Sequence, residues 1–83
     1  TGNQAGVDAV RRETLDCQRL LCPMPVIRVQ DKAMQMQPGD ELEAICTDPG
    51  ALNDIPAWSR INGHEVVEAR SGDDLYFVVI RIG

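Results

Sequence analysis

The stretch Leu20-Leu21-Cys22-Pro23-Met24-Pro25, continued by VIRVQDKAMQMQ (residues 26–37) and closed by Pro38-Gly39, decides the fold of this chain. On a helical wheel Val26, Ile27, Val29, Ala33, Met34 and Met36 gather on one half, and Arg28, Asp31, Lys32 and Gln35 on the other. Gln30 and Gln37 fall inside the apolar arc. The spacing predicts an amphipathic helix that opens at the proline-rich corner and stops at Pro38-Gly39. Upstream, Glu13-Thr14-Leu15-Asp16-Cys17 reads as a short strand. Downstream, Glu41–Thr47 reads as another, with Leu42, Ala44 and Cys46 alternating toward a core. Asp48-Pro49-Gly50 is a loop. Asn53 or Asp54 is expected to cap a second helix through Ile55, Trp58 and Ile61, with Pro56 in its first turn and Gly63 ending it in the left-handed conformation. His64–Ser71 and Leu75–Ile82 form a hairpin around Gly72-Asp73-Asp74. The order is βαβαββ. A strand-helix-strand step makes at least one pair parallel, while the final hairpin is antiparallel. The expected fold class is therefore α+β, a two-layer α/β sandwich with a mixed four-stranded sheet and two helices on one face.

With 83 residues, the chain has room for one small domain. Residues 13–83 are assigned to it. Residues 1–12, rich in Gly and polar side chains, are read as a flexible N-terminal tail. Eight basic against thirteen acidic residues give a net charge of -5, which argues against direct nucleic-acid binding, a process driven by Lys and Arg neutralising phosphates. No apolar run approaches the roughly 20 residues needed to span a bilayer, and no export signal is visible in the polar N-terminal stretch. A cytoplasmic location without membrane contact is expected. Three cysteines, an odd number, do not make a complete disulfide framework. In a reducing cytosol all three are thiols, and at least one is available for chemistry. No CxxC or HxxxH spacing points to zinc, and the lone His64 lies far along the chain from Cys22. No metal or cofactor is expected.

The chemistry-bearing motif is Cys22-Pro23-Met24-Pro25. Proline is favoured at the first helical position, because its missing N–H is unpaired there in any case. With Pro23 in that position, Cys22 is the N-cap, and its sulfur lies beside free backbone N–H groups and the positive end of the helix dipole. That setting favours thiolate over thiol. Pro25 stiffens the same turn. The competing reading is an inert buried cysteine in a loop merely shaped by two prolines. Physics alone does not choose between them, and does not single out sulfur transfer among thiol chemistries.

The ordered series of motifs resembles the TusA/SirA-like sulfur carrier family from about Leu15 to Arg81. The matching elements are Leu15-Asp16, Leu20-x-Cys22-Pro23-x-Pro25, Pro38-Gly39-Asp40, Thr47-Asp48-Pro49-Gly50-Ala51, Asp54-Ile55-Pro56 and Asn62-Gly63-His64-Glu65. The resemblance implies a βαβαββ sandwich in which Cys22 carries a persulfide. It also implies a sulfur donor protein (a cysteine desulfurase or rhodanese) and an acceptor protein, often DsrE-like. The destinations it implies are tRNA thiolation, cofactor sulfur supply and dissimilatory sulfur oxidation. Two departures stand out: Arg19 occupies a position often held by Gly, and Ser59 one often held by Cys. If that Gly has positive φ, Arg19 must change the turn or bear strain.

The remaining candidates are weighed against simpler roles. Pro23 and Pro25 are supporting residues. Met24 and Asp48 are candidate partner contacts, with an Asx turn to Gly50 as the simpler role for Asp48. Cys17 is either a resolving thiol for Cys22 or a core residue, and core packing is favoured, as for Cys46. His64 is either a nearby base or an ordinary turn histidine. Arg28, Lys32 and Arg60 are either partner contacts or solvated helix faces. Taken together, the expected activity is a sulfurtransferase acting as a monomeric persulfide carrier with transient partners. A redox-sensing thiol protein and a regulatory or binding module with a structural CPxP turn are the alternatives.

Overall fold

The computed structural model describes residues 12–21 and 23–83. Its elements are β1 (Arg12–Cys17), α1 (Met24–Ala33), β2 (Glu41–Cys46), α2 (Ala51–Ile61), β3 (Glu65–Gly72) and β4 (Leu75–Arg81). β1 begins at Arg12, one residue inside the stretch read as tail; residues 1–11 lie outside the described residues. The sheet order is β1-β2-β4-β3. β1 and β2 are parallel, and β2–β4 and β3–β4 are antiparallel. The mixed four-stranded sheet and βαβαββ order agree with the expectation from the sequence.

Strand alternation divides the sheet into two faces. Leu42, Ala44 and Cys46 point toward the helices, opposite Ile80, Val78 and Tyr76 of β4 and Glu13, Leu15 and Cys17 of β1. Val29 and Ala33 of α1 and Ala51 and Ile55 of α2 complete that core. Both helices therefore cover one face, α1 over β1 and β2 and α2 over β3 and β4. The other face carries charge. Glu41 takes Arg12 at 2.8 Å and Arg81 at 3.3 Å, while Arg70 pairs with Glu43 and Glu68 and lies 4.4 Å from the Phe77 ring centroid.

Several boundaries differ from the sequence reading, each for a local reason. α1 ends at Ala33 rather than at Pro38-Gly39. Gln35 and Met36 tighten the chain by donating to carbonyls three residues back. The Gln37 amide goes instead to the Asp40 carboxylate at 3.0 Å, and the Gly39 amide to the Ile82 carbonyl at 2.7 Å. Pro38 also disfavours helical backbone at the residue before it. Of the apolar arc, Val29, Ala33 and Met36 are buried, but Ile27 and Met34 are exposed.

α2 starts earlier than the Asn53 or Asp54 cap predicts. Its N-cap is Gly50, because the Asp48 side chain and carbonyl take the Gly50 and Ala51 amides and wind the chain into the helix. Pro56 is consequently interior rather than in the first turn, and its ring is buried. Ile61 is exposed. Gly63 adopts φ +80 as expected, and the His64 and Gly63 amides return to the Ser59 and Arg60 carbonyls. The hairpin turn is the two residues Asp73 and Asp74, both at positive φ, with Gly72 paired to Leu75 inside the ladder. Val67 bulges out of β3, where the register shifts between Val66 and Glu68.

Candidate functional site

Because β1 and β2 run parallel and in register, Cys17 and Cys46 finish them at the same edge of the sheet. The loops that follow, 18–23 and 47–50, meet there. The first is built by short hydrogen bonds. The Asp16 carboxylate accepts the Gln18 amide at 2.9 Å, and the Cys17 carbonyl accepts the Leu20 amide at 3.3 Å. Arg19 sits at φ 67 and donates its amide to the Thr47 hydroxyl at 2.8 Å, which ties the two loops together. The turn therefore keeps its left-handed residue with an arginine in it.

At the helix mouth the structure shifts the sequence reading by one position. Pro23 is the N-cap, Met24 is the first helical residue, and the second is Pro25, whose ring is buried. Pro23 is therefore not the first helical residue, and Cys22 precedes the N-cap in the chain instead of serving as it. Cys22 itself lies outside the described residues. The amides of the first turn are largely committed. Met24 donates to the Leu21 carbonyl at 2.8 Å, Pro25 has no N–H, and Ile27 closes the first helical bond to the Pro23 carbonyl at 3.2 Å.

Around this corner apolar side chains face outward. Leu21 is 73% exposed, Met24 40% and Ile27 42%. Pro23 is exposed as well. Among the described residues there is no cavity, and no three His, Cys, Asp or Glu side chains converge. The arrangement is an exposed apolar corner rather than a pocket.

The other candidates separate clearly. Asp48 lies on the neighbouring loop at the same sheet edge, and its carboxylate accepts the Gly50 amide at 3.0 Å in the Asx turn the sequence suggests. His64 lies at the opposite edge. It accepts the Gly83 amide on Nδ1 at 3.0 Å, and its ring centroid is 5.1 Å from that of Trp58. It has no place beside the corner as a base. Lys32 is engaged with Glu13 at 2.7 Å, and Arg28 and Arg60 are exposed. Ser59 is buried and donates to the Ile55 carbonyl at 2.8 Å.

Cys17 and Cys46 are both 0% exposed, both free thiols, and directly opposite each other in the β1–β2 ladder. The adjacent Cys46 thiol holds the Cys17 thiol below its ordinary value despite burial, with help from the Arg28 charge. The adjacent Cys17, then burial, pushes the Cys46 thiol well up. Core packing, favoured for both from the sequence, is what the structure shows. Their pairing was missed, because which cysteine faces which depends on strand register. Leu21 and Ile27 were also missed as surface residues, since apolar periodicity assigns Ile27 to the core.

Comparison with known proteins agrees with this architecture. The family model described as Sulfurtransferase TusA matches residues 13–82. A putative sulfur carrier protein of Neisseria meningitidis is 39% identical over 69 residues, covering 83% of this chain and 93% of that protein. The sulfur carrier protein TusA of Pseudomonas aeruginosa is 39% identical over 75 residues, covering 90% of each. The crystal structure of a SirA-like protein from Desulfitobacterium hafniense superposes with a TM-score of 0.76 at 21% identity, covering 84% of this chain and 96% of that one, and so shares the fold. With the family model spanning nearly all the described residues and the βαβαββ sandwich in place beneath it, this chain belongs to the TusA family.

Proposed function

We propose that this chain carries sulfane sulfur as a persulfide on Cys22, receiving it from one protein and delivering it to another. The observation that carries the reading is the exposed corner of Leu21, Pro23 and Met24, anchored by the buried ring of Pro25 and by the Arg19–Thr47 bond. The motif cysteine follows Leu21 and precedes Pro23 in the chain. In the loading step the Cys22 thiolate attacks the terminal sulfur of a donor persulfide. A new S–S bond forms, the donor's own S–S bond breaks, and the donor leaves as a thiolate. In the unloading step an acceptor thiolate attacks the outer sulfur of Cys22–S–SH, and Cys22 leaves as a thiolate. Both steps are thiol exchange in form and require access and a competent thiolate, not a deep substrate cavity.

The donor in this reading is a cysteine desulfurase or rhodanese-type protein, and the acceptor is a thiol protein such as a DsrE-like one. Leu21, Met24 and Ile27 supply the apolar contact such transient partners need. Asp48, on the adjoining loop, is a polar contact at the rim. Transfer of sulfur to tRNA thiolation, to a cofactor pathway or to sulfur oxidation is then decided by the acceptor.

The test is to incubate the chain with cysteine and a cysteine desulfurase and to map the mass of each cysteine-containing peptide. One added sulfur atom on the Cys22 peptide, absent from Cys22→Ser, is the expected result. An unmodified Cys22, with a Cys17–Cys22 linkage under mild oxidant, refutes the carrier and supports a redox sensor.

A further inference from the structure

We propose that Cys17 and Cys46 form a reversible cross-strand disulfide, making this chain's second thiol site a two-electron redox element. The argument begins with register. The two residues are direct partners on adjacent parallel strands. Neighbouring strands lie about 4.7–4.9 Å apart, inside the roughly 4.4–6.8 Å range of Cα separations that disulfides bridge. Both side chains are fully buried in the same core cluster, and both are free thiols. Leu42, Ala44, Val78 and Ile80, which share that layer, are aliphatic, so each cysteine has the other as its redox partner there.

Burial protects the pair without sealing it permanently. Cys17 and Cys46 are the last residues of their strands, and β1 is an edge strand. Unpairing only the final rung of β1 uncovers both sulfurs, an opening far smaller than global unfolding. Of the two thiols, Cys17 is the one held lower, by its Cys46 neighbour and by the Arg28 charge.

The oxidant in this proposal is hydrogen peroxide, small enough to reach the sulfurs once the rung opens. The Cys17 thiolate attacks one peroxide oxygen. An S–O bond forms, the O–O bond breaks, and hydroxide leaves, so Cys17 becomes a sulfenic acid. Cys46 then attacks the Cys17 sulfur. The S–S bond forms, the S–O bond breaks, and the departing hydroxide takes the Cys46 proton as water. Two thiols are oxidised, one peroxide is reduced, and two water molecules result once the first hydroxide is protonated. The product is a covalent rung at the sheet edge from which loops 18–23 and 47–50 both spring.

The test uses the full chain carrying Cys22→Ser, which makes it independent of the persulfide reading. Native protein is treated with hydrogen peroxide, alkylated and digested with trypsin. The three cysteine positions fall in three different tryptic peptides, residues 13–19, 20–28 and 33–60, so linkage is read directly. The expected result is peptide 13–19 joined to 33–60 within one chain, with native circular dichroism and return to two free thiols on adding dithiothreitol. Thiols that stay reduced, over-oxidation to sulfinic acid without linkage, or linkage only between two chains overturns the proposal. So does a link that appears only after urea unfolding. In the chain with Cys22 intact, a 13–19 to 20–28 product replacing the 13–19 to 33–60 one also overturns it.

Discussion

Replacing Arg19 by glycine is expected to stabilise this chain by about 1 kcal/mol, although it deletes a whole charged side chain. Arg19 holds φ 67, a left-handed conformation that costs an L-residue roughly 1–2 kcal/mol and glycine almost nothing. Glycine's greater freedom in the unfolded chain returns about 0.4–1 kcal/mol of that gain. The hydrogen bond that position 19 makes to the Thr47 hydroxyl at 2.8 Å comes from the backbone amide and survives the change. The Arg19 side chain is exposed and makes no core contact. For a domain of this size a gain of about 1 kcal/mol raises Tm by roughly 4–8 °C. In urea, with a slope near 1 kcal/mol/M for a small protein, the midpoint moves up by about 1 M. Urea titration followed by the fluorescence of Trp58, the single tryptophan, reads the effect. Arg19→Ala is the necessary companion: it removes the side chain but keeps the backbone penalty, so its midpoint stays close to that of the parent. If Arg19→Gly is no more stable than Arg19→Ala, the left-handed strain is not where the free energy lies and the reasoning is refuted.

Two further outcomes follow from the sheet. Leu42→Ala removes a fully buried side chain from the layer between the sheet and both helices and is expected to cost about 3 kcal/mol. A loss below about 1 kcal/mol in the same urea titration would show that the core collapses around the gap. Glu41 is held below its ordinary carboxylate value by Arg12 first and by Arg81 after it. A depressed folded-state value means stability that is fully present above the unfolded carboxylate range and is lost as pH falls through the folded value. Glu41→Gln is therefore expected to flatten the acid side of the stability profile. The urea midpoint of the parent should fall more steeply than that of the variant as pH drops from neutral into the acid range, and parallel profiles would remove Glu41 as the cause.

Much of this fold is legible because strand alternation and turn chemistry act locally. Leu42, Ala44 and Cys46 point inward as their period of two requires, Gly63 closes α2, and Asp48 makes its Asx turn with Gly50. What could not be read locally depends on groups brought from elsewhere in the chain. The end of α1 is set partly by Ile82, whose carbonyl claims the Gly39 amide. The N-cap of α2 moves to Gly50 because Asp48 captures two amides ahead of Asn53 and Asp54. The Cys17–Cys46 partnership needs both the parallel pairing and its register, since a slip of one residue would turn Cys46 to the opposite face.

The misreading of the apolar arc has a different origin, and it bears on the site. The helical wheel groups Ile27 with Val29 and Ala33 because amphipathic periodicity treats every apolar side chain on a helix as a candidate for burial. α1 is only ten residues long and buries Pro25, Val29 and Ala33, spaced four residues apart. Met24 and Ile27 fall outside that row, three residues apart on an exposed surface of the helix that begins beside Leu21. Leaving them in water has a cost of roughly 25 cal/mol for each Å² of apolar surface that a partner would otherwise cover, and folding alone does not recover it. Association does, and in the proposed function association is the step that brings a second protein's sulfur to Cys22. The place where the local pattern fails is therefore the place where the chain's own core ceases to be the reason for its hydrophobic residues.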